Sequence, residues 1–373
     1  MLLARRHFFK ILLISLAFAV SLSGSVRAAD LETGVIVLQP MHASIEEQNE
    51  IIGQLRAKGV HLIRTAMRPE KAYIDFARRA FANGIRIDAL VDPQAPRGLP
   101  PTNLSNDFRN NWTLLASADP NLSRTFLQNL IQQLEANGVV LAAIELGNEI
   151  NWTDVNKDFP RTIRGKILDL DGLRTDPVGQ QFAANFTKYL NILAVVKDVR
   201  DHSSLNKRTP IISAGLVSIN TGDADTQFFE SHGYSVTIGA TLKYLQAGGL
   251  DKLVDYYGVH YYPRDPTPAA RKRHLEISGM SECRAAGSAT GKPCWITEWG
   301  ADNTQKTCPV NDMARAALIQ ETMDNYRELA RADRLLVALY YSWNSPPGSD
   351  NLNPSSIYRC GELTDGGKRA ISP

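Results

Sequence analysis

Cysteine is scarce in this sequence of 373 residues, with four in all and none before Cys283. No C-x-x-C pair and no Cys/His grouping at ligand spacing occurs, so a cysteine-built zinc site has no support. After the first thirty positions there is no apolar run long enough to cross a membrane. No Gly-rich phosphate turn follows an early apolar segment, which argues against a doubly wound nucleotide-binding sheet. Gly287 to Lys292 has a P-loop-like composition, but its spacing is short and Pro293 stands where Ser or Thr is required. A G-x-S-x-G nucleophile turn is missing as well. So are internal repeats, low-complexity tracts and any linker that would separate two domains.

At the N-terminus, Ala4-Arg5-Arg6-His7-Phe8-Phe9-Lys10 leads into an apolar stretch from Ile11 to Leu22, then Ser25-Val26-Arg27-Ala28-Ala29. Basic, apolar and small-residue zones in that order make residues 1–28 a secretory signal peptide. The twin arginine followed by Phe and Lys resembles a Tat signal; a plain Sec signal and an uncleaved anchor are the alternatives, and the apolar run is short for an anchor. Removing residues 1–28 takes away Arg5, Arg6, Lys10 and Arg27 and no acid, so the formal charge falls from +2 to −2. A nearly neutral mature chain carries no basic footprint for nucleic acid or an anionic membrane. Arg271-Lys272-Arg273-His274 reads as a solvated helix face. The expected location is periplasmic or extracellular, in a bacterium. In such an oxidising compartment the four cysteines permit three pairings. Cys283–Cys294, closing a short loop, with Cys308–Cys360, joining two loops on one face, is the favoured pairing.

Residues 29–373 alternate short runs rich in Val, Ile and Leu with segments of helical period, the pattern of βα units around a parallel sheet. The expected strands are Gly34–Gln39, His61–Ala66, Arg86–Val91, Leu141–Leu146, Pro210–Gly215, Tyr256–His260, Cys294–Thr297 and Leu335–Tyr341. Helices are expected over Ser44–Lys58, Pro69–Asn83, Ser123–Asn137, Val178–Arg200 and Val310–Ala332, several followed by glycine. Eight such units make a single (β/α)₈ barrel, the TIM-barrel architecture of the α/β class, with enlarged βα loops at 93–120 and 151–177. Only Thr364–Ser372 remains for the eighth helix, which must be short or irregular.

Catalytic groups of such a barrel sit where strands end. Here those positions hold Arg64, Asp92, Asn148-Glu149 with Trp152, His260-Tyr261-Tyr262, Glu298-Trp299 and Trp343-Asn344. Two carboxylates, ending strands four and seven, face each other across the barrel mouth. Such a pair suits acid-catalysed cleavage of an acetal, in which one is protonated while the other is charged.

In these positions the sequence resembles the clan A glycoside hydrolases, through Ile144-Glu145-Leu146-Gly147-Asn148-Glu149 and Trp295-Ile296-Thr297-Glu298-Trp299-Gly300. Leu62-Ile63-Arg64, Gly258-Val259-His260-Tyr261-Tyr262 and Leu339-Tyr340-Tyr341-Ser342-Trp343-Asn344 extend the likeness. The resemblance implies Glu149 as general acid/base and Glu298 as nucleophile of a retaining enzyme. It implies that Arg64 supports Glu298, that His260 and Tyr262 line the subsite, and that Trp343 stacks under the sugar. Asn148 is then the ligand of the sugar 2-hydroxyl. Trp152 and Trp299 join the substrate-binding set, and Trp112 is a further loop aromatic. Glu145 is not counted as catalytic.

The expected activity is hydrolysis of a β-linked poly- or oligosaccharide by double displacement, with a carbohydrate as the one partner and no cofactor or metal. Two other classes compete with it: a non-catalytic carbohydrate-binding barrel and a metal-dependent hydrolase barrel, although only His260 among seven histidines is placed for a metal. Sugar identity, linkage, endo or exo action and oligomeric state are not written in the sequence.

Overall fold

The computed structural model describes residues 30–96, 115–153, 155–156, 165–219, 224–345 and 353–372. Residues 1–28, expected to be a signal peptide, and Trp112 lie outside the described residues. Eight parallel strands form a ring: β1 (Glu32–Ile36), β2 (Leu62–Ala66), β3 (Arg86–Val91), β4 (Ala143–Leu146), a divided β5 (Ile211–Ile212 and Leu216–Val217), β6 (Tyr257–Tyr261), β7 (Cys294–Trp299) and β8 (Leu335–Tyr340). Each pairs with its successor, and β8 returns to β1 with Glu32 opposite Val337. Where a single fifth strand was expected, Ile211–Ile212 pairs with β4 and Leu216–Val217 with β6. The seam between these pieces is closed by an Ile212–Tyr256 bridge and by Ser213 N–H donating to the Tyr256 carbonyl at 3.1 Å. Fold and handover of strands are those of the (β/α)₈ barrel.

The helices of the outer layer follow in order: α1 (Ile45–Ala57), α2 (Lys71–Ala82), α3 (Pro120–Ala136), α4 (Pro177–Asp201), α5 (Ile238–Ala247), α6 (Pro268–His274), α7 (Met313–Arg331) and α8 (Asp365–Ala370), with shorter helices at Gly172–Thr175 and Ala224–Ser231 in the loops after β4 and β5. Local chemistry sets their ends. Ser44 and Glu47 form a reciprocal capping box on α1, while Asp119 and Asp176 cap α3 and α4 ahead of Pro120 and Pro177. Gly59, Gly84 and Gly138, with φ of 74°, 77° and 70°, leave α1 to α3 in the left-handed conformation that glycine adopts without penalty. Among the described residues, no helix is long and apolar enough to cross a membrane.

Alternation along each strand divides the core in two. Val35, Ile63, Ile144, Ile211, Ile296, Ala338 and Tyr340 belong to the large cluster between sheet and helices. Their neighbours Ile36, Leu62, Ala143, Ile212, Trp295, Val337 and Leu339 form a separate apolar plug on the other face, inside the barrel. Above that plug the inward face turns polar.

The tail behaves as its composition demands. α8 has only six residues, capped by Thr364, and is held against α7 by Arg315, whose buried guanidinium binds Asp312 Oδ1 at 2.6 Å, Thr364 Oγ1 at 3.0 Å and the Ser356 carbonyl at 3.0 Å. Both disulfides have the favoured pairing, Cys283–Cys294 and Cys308–Cys360, with separations of 11 and 52 residues. Loop-closure entropy for the longer bridge corresponds to about 4 kcal/mol. A Cys308→Ser/Cys360→Ser double variant should therefore lose about 4 kcal/mol of unfolding free energy by denaturant titration; an unchanged midpoint would show that non-covalent contacts such as those of Arg315 suffice to fasten the tail.

Candidate active site

Past the apolar plug, Arg64 on β2 stands at the centre of the barrel, 3% exposed, and its guanidinium reaches three acceptors. Nε and Nη2 bind the two Glu145 carboxylate oxygens at 2.5 and 3.1 Å, Nη2 donates to Asn148 Oδ1 at 2.8 Å, and Nη1 lies 3.3 Å from Glu298 Oε2. Burial alone would lower the Arg64 pKa, but the Glu145 charge and its hydrogen bond outweigh that and hold it above its ordinary value. Glu145 also accepts the Gly215 N–H at 3.0 Å. It is thus the principal partner of Arg64, and Glu298 receives the remaining arm. Tyr189 of α4 braces this corner, donating to the Leu146 carbonyl at 3.0 Å and accepting the Ala214 N–H at 2.7 Å.

Glu298 is re-aimed by a break in register. Ile296 pairs with Val259 and Glu298 with His260, so one residue of β7 is unmatched between them. Strict alternation would send Glu298 outward with Ile296; the irregularity brings it to the inner face beside His260, as bulges near active sites do. There its Oε1 accepts the Tyr262 hydroxyl at 2.5 Å. Burial, then the nearby Glu298 charge, pushes the Tyr262 pKa well above that of a free phenol, so Tyr262 is a donor throughout the working range.

Glu149 follows β4 in a backbone conformation uncommon for a residue with a side chain, at φ 45°. Its N–H donates to the Gly215 carbonyl at 2.8 Å and its carbonyl accepts the Trp152 N–H at 3.1 Å, which together fix this turn. The Glu149 Oε1 atom meets His260 Nδ1 at 2.9 Å. His260 is completely buried, and Gly215 makes room for it: a Cβ at that position would lie 2.1 Å from His260 Nε2. One carboxylate oxygen each from Glu149 and Glu298, with a ring nitrogen of His260, lie within 4.8 Å of one another.

The expected site residues divide accordingly. Glu149, Glu298, Arg64, Asn148, His260 and Tyr262 converge on one cluster. Trp152 lies beside it, with its ring edge-on to Phe229 at 5.3 Å. Trp299 and Trp343 do not belong to the site, which corrects the sequence reading. Trp299 follows the re-aimed Glu298, so it points to the helix layer, fully buried and edge-on to Tyr326 and Tyr340. Trp343 is also fully buried, stacked on Tyr358 at 5.1 Å with its indole nitrogen 3.4 Å from Gln54 of α1. Tyr341 faces the carboxylates instead. Its hydroxyl pKa is pushed up to about 12 by burial and then by the Glu298 charge. Alternation of Val337 and Leu339 into the plug puts Tyr341 on the inner face, a signal readable from β8.

Asp88 is the other residue that sequence reasoning missed. It lies one strand from Arg64, opposite it in register, completely buried, with neither carboxylate oxygen hydrogen-bonded. Burial first, then the Glu145 charge, raises its pKa well above the usual carboxylate range, with Arg64 opposing.

No protein-family model and no curated protein matches the sequence. Among solved structures, the chain is similar in fold to a fungal beta-1,4-galactanase, at 16% identity and a TM-score of 0.56, over 92% of this chain and 99% of that one. A GH53 catalytic domain from Ignisphaera aggregans gives 14% identity and a TM-score of 0.57, over 93% and 97%. A GH5-4 broad-specificity endoglucanase from Clostridium acetobutylicum gives 13% and 0.50, over 91% and 96%. At these identities the likeness is one of fold, and it spans nearly the whole of each chain.

Asp88 offers a test of this buried layer. An acid whose folded pKa is raised takes up a proton on folding, so it favours the fold at low pH and that contribution is lost as pH climbs from the unfolded value near 4 through the folded one. Asp88→Asn cannot ionise. Its unfolding free energy relative to wild type should therefore rise between pH 4 and 7, by up to about 1.4 kcal/mol per pH unit. Parallel stability curves for the two proteins would refute a protonated Asp88.

Proposed function

We propose that this protein is a retaining glycoside hydrolase of clan A, exported and acting on a β-linked poly- or oligosaccharide. One observation carries the reading: Glu149 and Glu298, from opposite sides of the barrel mouth, bring carboxylate oxygens within 4.8 Å of each other. Retaining enzymes hold their carboxyl groups roughly 5–5.5 Å apart, whereas inverting enzymes leave room for a water at about 6.5–9.5 Å. Fold likeness to galactanase, GH53 and endoglucanase structures supports the same conclusion.

The neighbours of the two glutamates differ, and so do their proposed roles. Glu298 accepts from a guanidinium and a phenol, donors that favour an anion and hold it in one orientation. It attacks the anomeric carbon. Glu149, beside His260, gives its proton to the departing glycosidic oxygen and then takes one from the water that cleaves the glycosyl-enzyme. Asn148, its carbonyl oxygen committed to Arg64, presents its amide N–H₂ to the sugar 2-hydroxyl. The two disulfides suit an oxidising compartment, and residues 1–28 supply the export signal in this reading.

Glu149, His260 and Glu298 are also a possible metal-ligand set. Glu298 already accepts a hydrogen bond from Tyr262, and Glu149 Oε1 is already paired with His260 Nδ1, so the glycosidase reading takes precedence.

Glu298→Gln should abolish turnover on a panel of aryl β-glycosides and β-glycans. Glu149→Ala should fall by at least about a hundredfold on poor leaving groups and regain activity with azide, giving a β-glycosyl azide. Wild-type activity should survive dialysis against EDTA. Full activity in both variants, or its loss to the chelator, would defeat the proposal.

A further inference from the structure

Beside Glu149 opens a recess with about 70 Å³ of free volume, part of it continuous with solvent, walled by Trp152, Val217, Phe228, Phe229, Tyr262 and Arg264. Glu149 lines it and Glu298 does not. A group seated there is therefore next to the proton donor and away from the nucleophile, which is the position of the leaving group under the glycosidase reading on which this inference rests. Its walls suit a sugar ring, since the electron-rich face of an aromatic ring stacks on the C–H face of a pyranose. Trp152, with a buried indole N–H that has no acceptor, is one of them.

Arg264 sets the cavity apart. Its guanidinium lies 5.5 Å from the centre of the Phe228 ring and 5.3 Å from that of Tyr262, held over two aromatic faces. Two neighbouring cations on the same connection to β7 are neutralised: Arg271 binds both oxygens of Glu321 at 2.8 and 2.6 Å, and Lys272 meets Glu328 at 2.7 Å. Among the described residues Arg264 has no carboxylate partner, and it is the one cation in the cavity wall. A guanidinium stacked this way loses little freedom on binding, and its planar fork matches a carboxylate in two hydrogen bonds.

We propose that this cavity is the leaving-group subsite and that Arg264 selects there a sugar bearing a carboxylate, a uronic acid residue. The preferred substrate is then an acidic β-glycan, cut on the non-reducing side of a uronate. Glu149 supplies the proton and Arg264 the recognition.

Binding can be read without turnover. Calorimetric titration of the full mature protein with methyl β-glucuronide and with methyl β-glucoside should give a Kd about tenfold lower for the uronide, the scale of a charge-assisted hydrogen bond. Arg264→Gln, checked for native circular dichroism, should bring the two Kd values together. Arg264→Lys, which keeps the charge but not the fork, should fall between. Equal affinities in wild type, a preference that survives in Arg264→Gln, or no binding of either glycoside at millimolar concentration would each overturn the subsite. Because these titrations require no hydrolysis, their failure stands apart from that of the Glu298→Gln and Glu149→Ala experiments.

Discussion

A cation withdrawn from water at the centre of the barrel constrains everything above it. Removing a charge from solvent costs several kcal/mol unless close, well-oriented partners replace its hydration. Arg64 finds them in Glu145, Asn148 and Glu298, which come from β4, the turn after β4, and β7. Glu145 is in turn tied to Gly215 at the break in β5. One guanidinium thereby fixes the relative heights of strands two, four, five and seven. Since its fork is planar and rigid, the nucleophile candidate is held in one orientation before any ligand arrives.

Around that centre the two proposed catalytic groups are displaced from regular geometry in different ways. Glu298 reaches the inner face only through the irregularity in β7, and Glu149 sits at positive φ in a turn pinned by two backbone hydrogen bonds. Both departures carry a local cost that surrounding structure sustains, a pattern found where side chains must be aimed rather than merely packed. Gly215 belongs to the same set, because His260 occupies the space a side chain would need.

Much of this was legible in the amino-acid order. Strands expected at His61–Ala66 and Arg86–Val91, the helix beginning at Ser44 and the glycines ending α1 to α3 follow from runs and turns with local causes. The placing of Glu149 and Glu298 at strand ends was legible because both follow apolar runs in the barrel order. What failed was side. Barrel strands are buried on both faces, so a continuous apolar run does not say which residues turn inward, and Trp299 and Trp343 look alike whether they face a ligand or a helix. The register break in β7 depends on pairing with β6 and β8, which no local pattern records. Glu145 and Asp88 read as ordinary acids inside strands, and their meaning appears only once Arg64 is beside them.

The ring closes through strands from opposite ends of the chain: Glu32 pairs with Val337, and Thr33 Oγ1 donates to the Ile371 carbonyl at 3.0 Å. A nascent chain emerges N-terminus first, so β1 must wait for about three hundred residues of synthesis before its second neighbour exists. Contacts of such sequence separation form late, because their loop entropy is charged before they return any stability. Until then β1 presents an open edge, and α8 and the Cys308–Cys360 bridge have nothing complete to close over. Completion of the barrel is thus a late event, whereas the eleven-residue span of Cys283–Cys294 needs no contact with β1 to close.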